Sequence, residues 1–263
     1  DMPGYFDFQG EMYQGMRAVD IATIVVCAVS GVQVGTEKAW DYCEKIKLPR
    51  AFFINKMDRE NADFDKTLEE MKNSFGMSIV PIQYPIGKES NFSGIVDVIS
   101  KTAVKYNSKT SKVESTDIPD ELVDKIEEFK QMIMEAVAET DEELLDKYLN
   151  DGELCDEDIY AGLIKGCAQG EIAPVLCGSA LKVIGIKSMI NSIVQCFPSP
   201  EHSLPQKAVN LNNNEEVFIK PDENKPFSAL VFKTIADPFV GKISLFRVMT
   251  GKINGELTVL NPN

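Results

Sequence analysis

The stretch AFFINKMDR (51–59) is a short apolar run that breaks into polar residues at its end. The run has the composition of a strand buried on both faces. Open α/β sheets bind their ligands at the carboxyl ends of such strands, and Asn55, Lys56 and Asp58 would leave the strand at that edge. The spacing N-K-x-D suits recognition of guanine. A carboxylate at Asp58 can accept from both the ring N–H and the exocyclic amino group, whereas adenine would leave that charge poorly paired. The Lys56 stem can lie over a base, and Asn55 can tie neighbouring loops together.

Working outward, IATIVVCAV (21–29), IVPIQ (79–83) and APVLC (173–177) read as further strands, the first covered on both faces. Helix patterns separate them. In GTEKAWDYCEKIKL, Thr36 is placed to cap and Ala39, Cys43 and Ile46 share a face; in 63–76, Phe64, Leu68, Met71 and Phe75 do so, with Gly76 as a stop; in 185–200, Ile186, Met189, Ile193 and Phe197 do so. Strands alternating with crossover helices predict an α/β fold around a parallel sheet. The rhythm is interrupted over about 84–170. There SGIVDVISKTAVKYN reads as one or two strands, and a helix follows with Leu122, Ile126, Phe129, Ile133 and Val137 inward. A capping box of Thr140 and Glu143 then opens a second helix ending near Gly152. This interruption is expected to be an inserted subdomain. Residues 200–224 read as a polar linker. From about 225 short alternating segments with Gly and Asn-Gly turns predict about three strands of an all-β domain, too few to close a barrel.

Two more stretches sit where chemistry is expected. In VLCGSALK, Ser179 can brace a loop and the Ala180 N–H can face a guanine O6; a plain strand-to-helix turn is the competing reading. The opening DMPG is an ordinary turn signal by itself. In a nucleotide-hydrolysing switch, its Asp1 would hold Mg²⁺ through water and the Gly4 N–H would meet the terminal phosphate.

Composition bounds the rest. Of 263 residues 44% are hydrophobic, enough for a sizeable core, and no apolar run approaches the roughly 20 residues of a membrane span. A cytoplasmic location is expected. The net charge of −14 is local: residues 114–158 carry 18 acids and 3 bases, and the remainder is close to neutral. Such a surface is either a solvated helical face or a dock for a basic partner. The six cysteines form no C-x-x-C pair and read as reduced structural thiols, and with His202 as the only histidine a zinc site is not expected.

Taken together, DMPGYFDF, CAVSGV, INKMDRENADF, YPIG, AVAETDEELLDKYL, PVLCGSALK, FPSP and ADPFVGKISLFRVMTG resemble the translational GTPases, most closely the bacterial elongation factor G family. The resemblance implies that 1–199 is the later part of a P-loop GTPase domain, from the second switch onward, with that family's inserted α+β subdomain. Residues from about 225 would begin the β-barrel domain that follows. It implies GTP or GDP with Mg²⁺, held through Asp1, Gly4, Asn55, Lys56, Asp58, Ser179, Ala180 and Leu181. It also implies the ribosome as partner, a basic stalk protein on the acidic insert, and GTP hydrolysis driving translocation in the intact protein.

Two departures follow. No G-x-x-x-x-G-K-S/T occurs in the chain, so the phosphate loop is expected upstream in a longer protein. Tyr5 stands where the family carries the histidine that positions the attacking water. A phenol ordinarily titrates near about 10 and does not become a cation near neutrality. This fits an elongation-factor-G-like paralogue. The alternatives are a ribosome-binding relative with weak or altered hydrolysis, a related release or ribosome-protection factor, and a Tyr5 that merely packs against Phe6 and Phe8. This 263-residue chain alone is expected to bind guanine nucleotide weakly or not at all; sub-micromolar GDP affinity by isothermal titration would overturn that.

Overall fold

The computed structural model describes residues 1–76, 78–107, 112–203, 205–210, 213–256 and 258–261. The chain divides into two compact units, residues 21–197 and residues 1–20 together with 198–263.

In the larger unit, β1 (Ala22–Cys27), β2 (Arg50–Asn55), β3 (Ile79–Pro81) and β8 (Ala173–Cys177) form a parallel sheet in the order β1-β2-β8-β3. β2 has the continuous apolar run its central place requires: Ala51, Phe52, Phe53 and Ile54 are all buried. β1 differs from expectation. It stands at the sheet edge, and its Val25 is 60% exposed, so only one face is well covered.

The crossover helices form where their apolar periods fall. α2 (Val34–Ile46) buries Ala39, Trp40 and Cys43. Its cap is Gln33, and Thr36 is the third helical residue, whose hydroxyl oxygen accepts from the Gln33 N–H at 3.2 Å. The expected cap at Thr36 is thus shifted by one element of a reciprocal pair. α3 (Phe64–Phe75) starts on Asp63, whose carboxylate accepts from Lys66 N at 3.0 Å, and stops at Gly76 with φ of 93°. Trp40, Phe52 and Phe75 stack with centroids 4.7–5.8 Å apart, and the Arg50 guanidinium lies 3.7 Å over Trp40.

The segment expected as one strand, 79–83, splits. β3 ends at Pro81, and β4 (Gln83–Ile86) enters a second, antiparallel sheet with β5 (Gly94–Asp97), β6 (Thr102–Asn107) and β7 (Lys112–Thr116). Ile82 is the switch: its N–H bonds Val175 of the first sheet and its carbonyl accepts from Val98, which follows the second. α4 (Val123–Ala138) buries Ile126, Phe129, Ile133 and Val137 as its period predicts. α5 (Glu142–Asp151) is capped by Asp141, not Thr140. The Asp141 carboxylate accepts from Glu143 N at 2.9 Å, while the Thr140 hydroxyl turns back to Val137 O; a carboxylate at a helix start also meets the favourable end of the dipole. α6 (Asp156–Gln169) leads back to β8, and α7 (Ile186–Cys196) follows it.

In the smaller unit, α1 (Gln9–Met16) follows a short 3-10 turn at Phe6–Phe8. β11 (Ser228–Asp237) and β12 (Gly241–Thr250) form a long antiparallel hairpin. Residues 258–261 carry no strand and Leu257 lies outside the described residues, so the expected third strand is not found among them. The stretch expected as a linker contains a hairpin of β9 (Gln206–Val209) and β10 (Glu216–Ile219). Within this unit Glu11 pairs with Lys233, and Asp20 accepts from Arg247 at 2.6 Å and Ser203 at 2.6 Å. These bonds group the opening residues with the C-terminal ones.

Truncation of a fully buried side chain in the insert, Ile133→Ala, is expected to cost about 3 kcal/mol, against about 1 kcal/mol for the cap variant Asp63→Ala. Urea unfolding followed by circular dichroism checks both values and their order.

Candidate functional site

β2 and β8 run side by side in parallel register, Phe52↔Val175 to Ile54↔Cys177. Their C-terminal loops therefore emerge together, and N-K-x-D and G-S-A meet although Asn55 and Ala180 stand 125 residues apart in the chain. Gly178 N donates to Ile54 O at 2.9 Å, and Met57 N to Gly178 O at 3.2 Å. Gly178 has no room for a side chain: an added Cβ would lie 2.6 Å from Ile184 O and 2.8 Å from the Phe53 ring.

Asn55 joins the two loops. Its Oδ1 accepts from Lys56 N at 2.7 Å and from Ala180 N at 3.0 Å. The tying role expected of Asn55 is present in this geometry. The Ala180 N–H, expected to face a ligand, is engaged here by Asn55. Lys56 adopts a left-handed backbone with φ of 64° and is exposed, and the fully buried Met57 beside it pins the loop. The Asp58 side chain is only 6% exposed, and Lys182 Nζ stands 3.9 Å from its carboxylate. That distance supplies charge without a hydrogen bond, which leaves the carboxylate oxygens able to accept from a planar donor pair.

The second loop is closed on itself. Ser179 and Ile184 exchange two backbone bonds, and the buried Ser179 hydroxyl accepts from Lys182 N at 3.2 Å. This is the bracing role read for Ser179. Leu181 is 76% exposed and Val183 sits at φ of 59°. That angle is unusual for a β-branched residue and belongs to the strained backbone found near ligand loops.

Cys27, paired in register with Asn55, ends β1 at the same sheet edge. Burial pushes its thiol upward, but the Ser30 and Val29 N–H groups, the Ser30 hydroxyl and Lys56 outweigh that, and the net direction is below the ordinary value. Cys43, Cys167, Cys177 and Cys196 are buried apolar fillers, burial raising Cys43 to about 11 and Cys167 and Cys196 to about 12, whereas Cys155 is exposed and its thiol donates to Asp158 at 2.9 Å, which raises it. All six thiols are free.

Asp1, Gly4 and Tyr5 belong to the smaller unit. All three are exposed, Tyr5 by 79%, so Tyr5 is not packed away between Phe6 and Phe8. Among the described residues no group of three or more His, Cys, Asp or Glu could hold a metal.

A family model described as the elongation factor Tu GTP binding domain matches residues 1–199. The chain belongs to this family. A crystal structure of a protein from Thermus thermophilus superposes with a TM-score of 0.79 at 31% identity, covering 95% of this chain and 35% of that one. The chain thus spans about a third of that relative's length. It is a GTP-binding domain of translation-factor type, an α/β domain followed by antiparallel β strands.

The residues present fit the base of a guanine nucleotide: a shielded carboxylate, a bridging amide and a backbone N–H converge at one sheet edge. They include no glycine-rich phosphate cradle. Sequence reasoning missed Lys182 as the charge beside Asp58, though the SALK spelling places it.

Asn55→Ala removes the acceptor for both Lys56 N and Ala180 N. It is expected to cost about 1–2 kcal/mol and to speed hydrogen exchange at the Ala180 amide, as read by NMR.

Proposed function

We propose that this domain recognises guanine through Asp58, with Lys56 over the base, Ser179 and Leu181 shaping the loop, and Ala180 N–H passing from Asn55 to the guanine O6. The observation that carries this reading is the Asn55 bridge, which sets the Ala180 amide and the Asp58 loop at one edge. In the intact protein we place this domain in an elongation-factor-G-like factor acting on the ribosome in the cytoplasm, with GTP hydrolysis driving translocation. The support is the family membership together with the run of quoted motifs. GTP with Mg²⁺ would supply the charge that holds the switch. Asp1 would hold that ion through water, and the Gly4 N–H would meet the terminal phosphate.

Tyr5 would orient the attacking water by a hydrogen bond from its phenol oxygen, the role the family gives to histidine. Its exposure leaves that oxygen accessible. The acidic insert would dock a basic stalk protein. The three lysines within 114–158 are paired internally, Lys125 to Glu128, Lys130 to Asp156 and Lys147 to Asp158, and Lys101 and Lys165 from outside the stretch meet Glu127 and Asp141; with 18 acids there, the surface keeps a surplus of carboxylates.

Asp58→Asn tests the base reading. The amide offers an N–H where guanine also offers one, and matches the carbonyl that xanthine carries instead. In the intact protein GDP affinity is expected to fall by at least about 100-fold while xanthosine diphosphate affinity rises; equal loss of both sinks the reading. Tyr5→Phe is expected to slow ribosome-stimulated turnover by on the order of tenfold or more, measured as phosphate release. An unchanged rate removes the phenol oxygen from the mechanism.

A further inference from the structure

β8 is paired with β2 along one edge and with β3 along the other, but the two pairings end at different heights. The β3 ladder runs from Ile79↔Ala173 to Pro81↔Val175, and Ile82 N adds one bond to Val175 O. The chain then departs into the second sheet. The next β8 amide facing that edge is Cys177 N–H, which lies wholly buried, one residue before the Gly178–Ser179–Ala180 loop. It is met by a side chain: Gln83 Oε1 accepts from Cys177 N at 3.4 Å. Gln83 is 1% exposed, and its Nε2 donates to the hydroxyl of Ser192, 2% exposed, at 3.0 Å. Because Cys177 offers an N–H, the carbonyl end of the amide must face it, and the amino end is thereby aimed at Ser192.

Ser192 lies in α7, which begins directly after Gly185. Gln83 therefore grips both flanks of the loop, the strand that enters it and the helix that leaves it. The second sheet adds contact at the same point. Gly185, at φ of 84°, has Ile95 of β5 so close that an added Cβ would lie 3.3 Å from the Ile95 Cδ1 and 2.6 Å from Cys177 O.

We infer that Gln83 is a positioning residue for the base-recognition loop, through which the inserted sheet sets how firmly guanine nucleotide is retained. This rests on the proposed guanine site. Gln83 is the first residue of β4, paired across to Asp97 of β5, so a displacement of the inserted sheet reaches Cys177 N and Ser192 through one amide group. Buried donors left unmatched are costly, which makes this amide a two-ended constraint and not a passive filler.

The test compares three variants of the intact protein by stopped-flow release of a fluorescent GDP. Gln83→Met keeps the volume and removes both bonds; it is expected to speed release about tenfold, the equivalent of one good hydrogen bond. Ser192→Ala, which leaves the Cys177 bond in place, is expected to give about threefold on the same basis. Ile133→Ala lowers stability while leaving both Gln83 bonds in place and is expected to leave release unchanged. Hydrogen exchange at the Ser179 and Ala180 amides without nucleotide should accelerate in the first two and not in the third. Release and exchange equal in Gln83→Met and Ile133→Ala would overturn the inference, and Ser192→Ala decides it if Gln83→Met does not fold. Failure of Asp58→Asn to exchange guanine for xanthine would instead overturn the underlying base reading, a separable result.

Discussion

Parallel pairing of Arg50–Asn55 with Ala173–Cys177 is the constraint on which the site depends. Three register pairs fix the heights at which two loops leave the sheet, and everything polar at that edge follows from those heights. Asn55 can reach Ala180 only because Ile54 and Cys177 stand level. Glycine at 178 follows from the same closeness, since its neighbours leave no space for a methyl group. The driving force behind the pairing is ordinary burial of Phe52, Ile54, Val175 and Leu176, so the polar groups at this edge are positioned by residues that never meet solvent.

Charge is arranged on a different principle. Ion pairs such as Lys101–Glu127 at 2.6 Å and Lys130–Asp156 at 2.7 Å stitch the insert's helices to its sheet and to each other. Exposed pairs of this kind contribute little to stability. The surplus of carboxylates matters more, because it sets a field of one sign across the helical face.

The sequence made some of this readable and hid the rest for physical reasons. Buried strands and amphipathic helices announce themselves by period, so β2, β8 and α3 were legible to within a residue or two, whereas α4 starts later than its pattern suggests, with the half-buried Leu122 in a 3-10 turn before it. N-K-x-D was legible because its chemistry is local: three side chains at one strand end suffice. Caps were misplaced where two residues compete. Thr36 and Gln33 form the same reciprocal pair read from either end, and Asp141 beats Thr140 because a carboxylate accepts more strongly from an amide. The split at Ile82 was invisible, since IVPIQ has one apolar pattern whichever sheet each residue joins. Gln83 was hidden for the same reason: its meaning lies in an amide 94 residues away.

The departure of the chain at Ile82 also bears on how a compact sheet can accept a large insertion. Opening a parallel ladder between two neighbouring strands ordinarily exposes a row of unpaired groups. Here the breach is narrow, because β3 stays paired through Pro81 and a single buried N–H is left over. One amide side chain closes it. The later strand keeps its place even though some ninety residues of chain lie between it and its neighbour. A seam that small lets an antiparallel sheet and three helices lie between two neighbouring strands while their ladder stays in register.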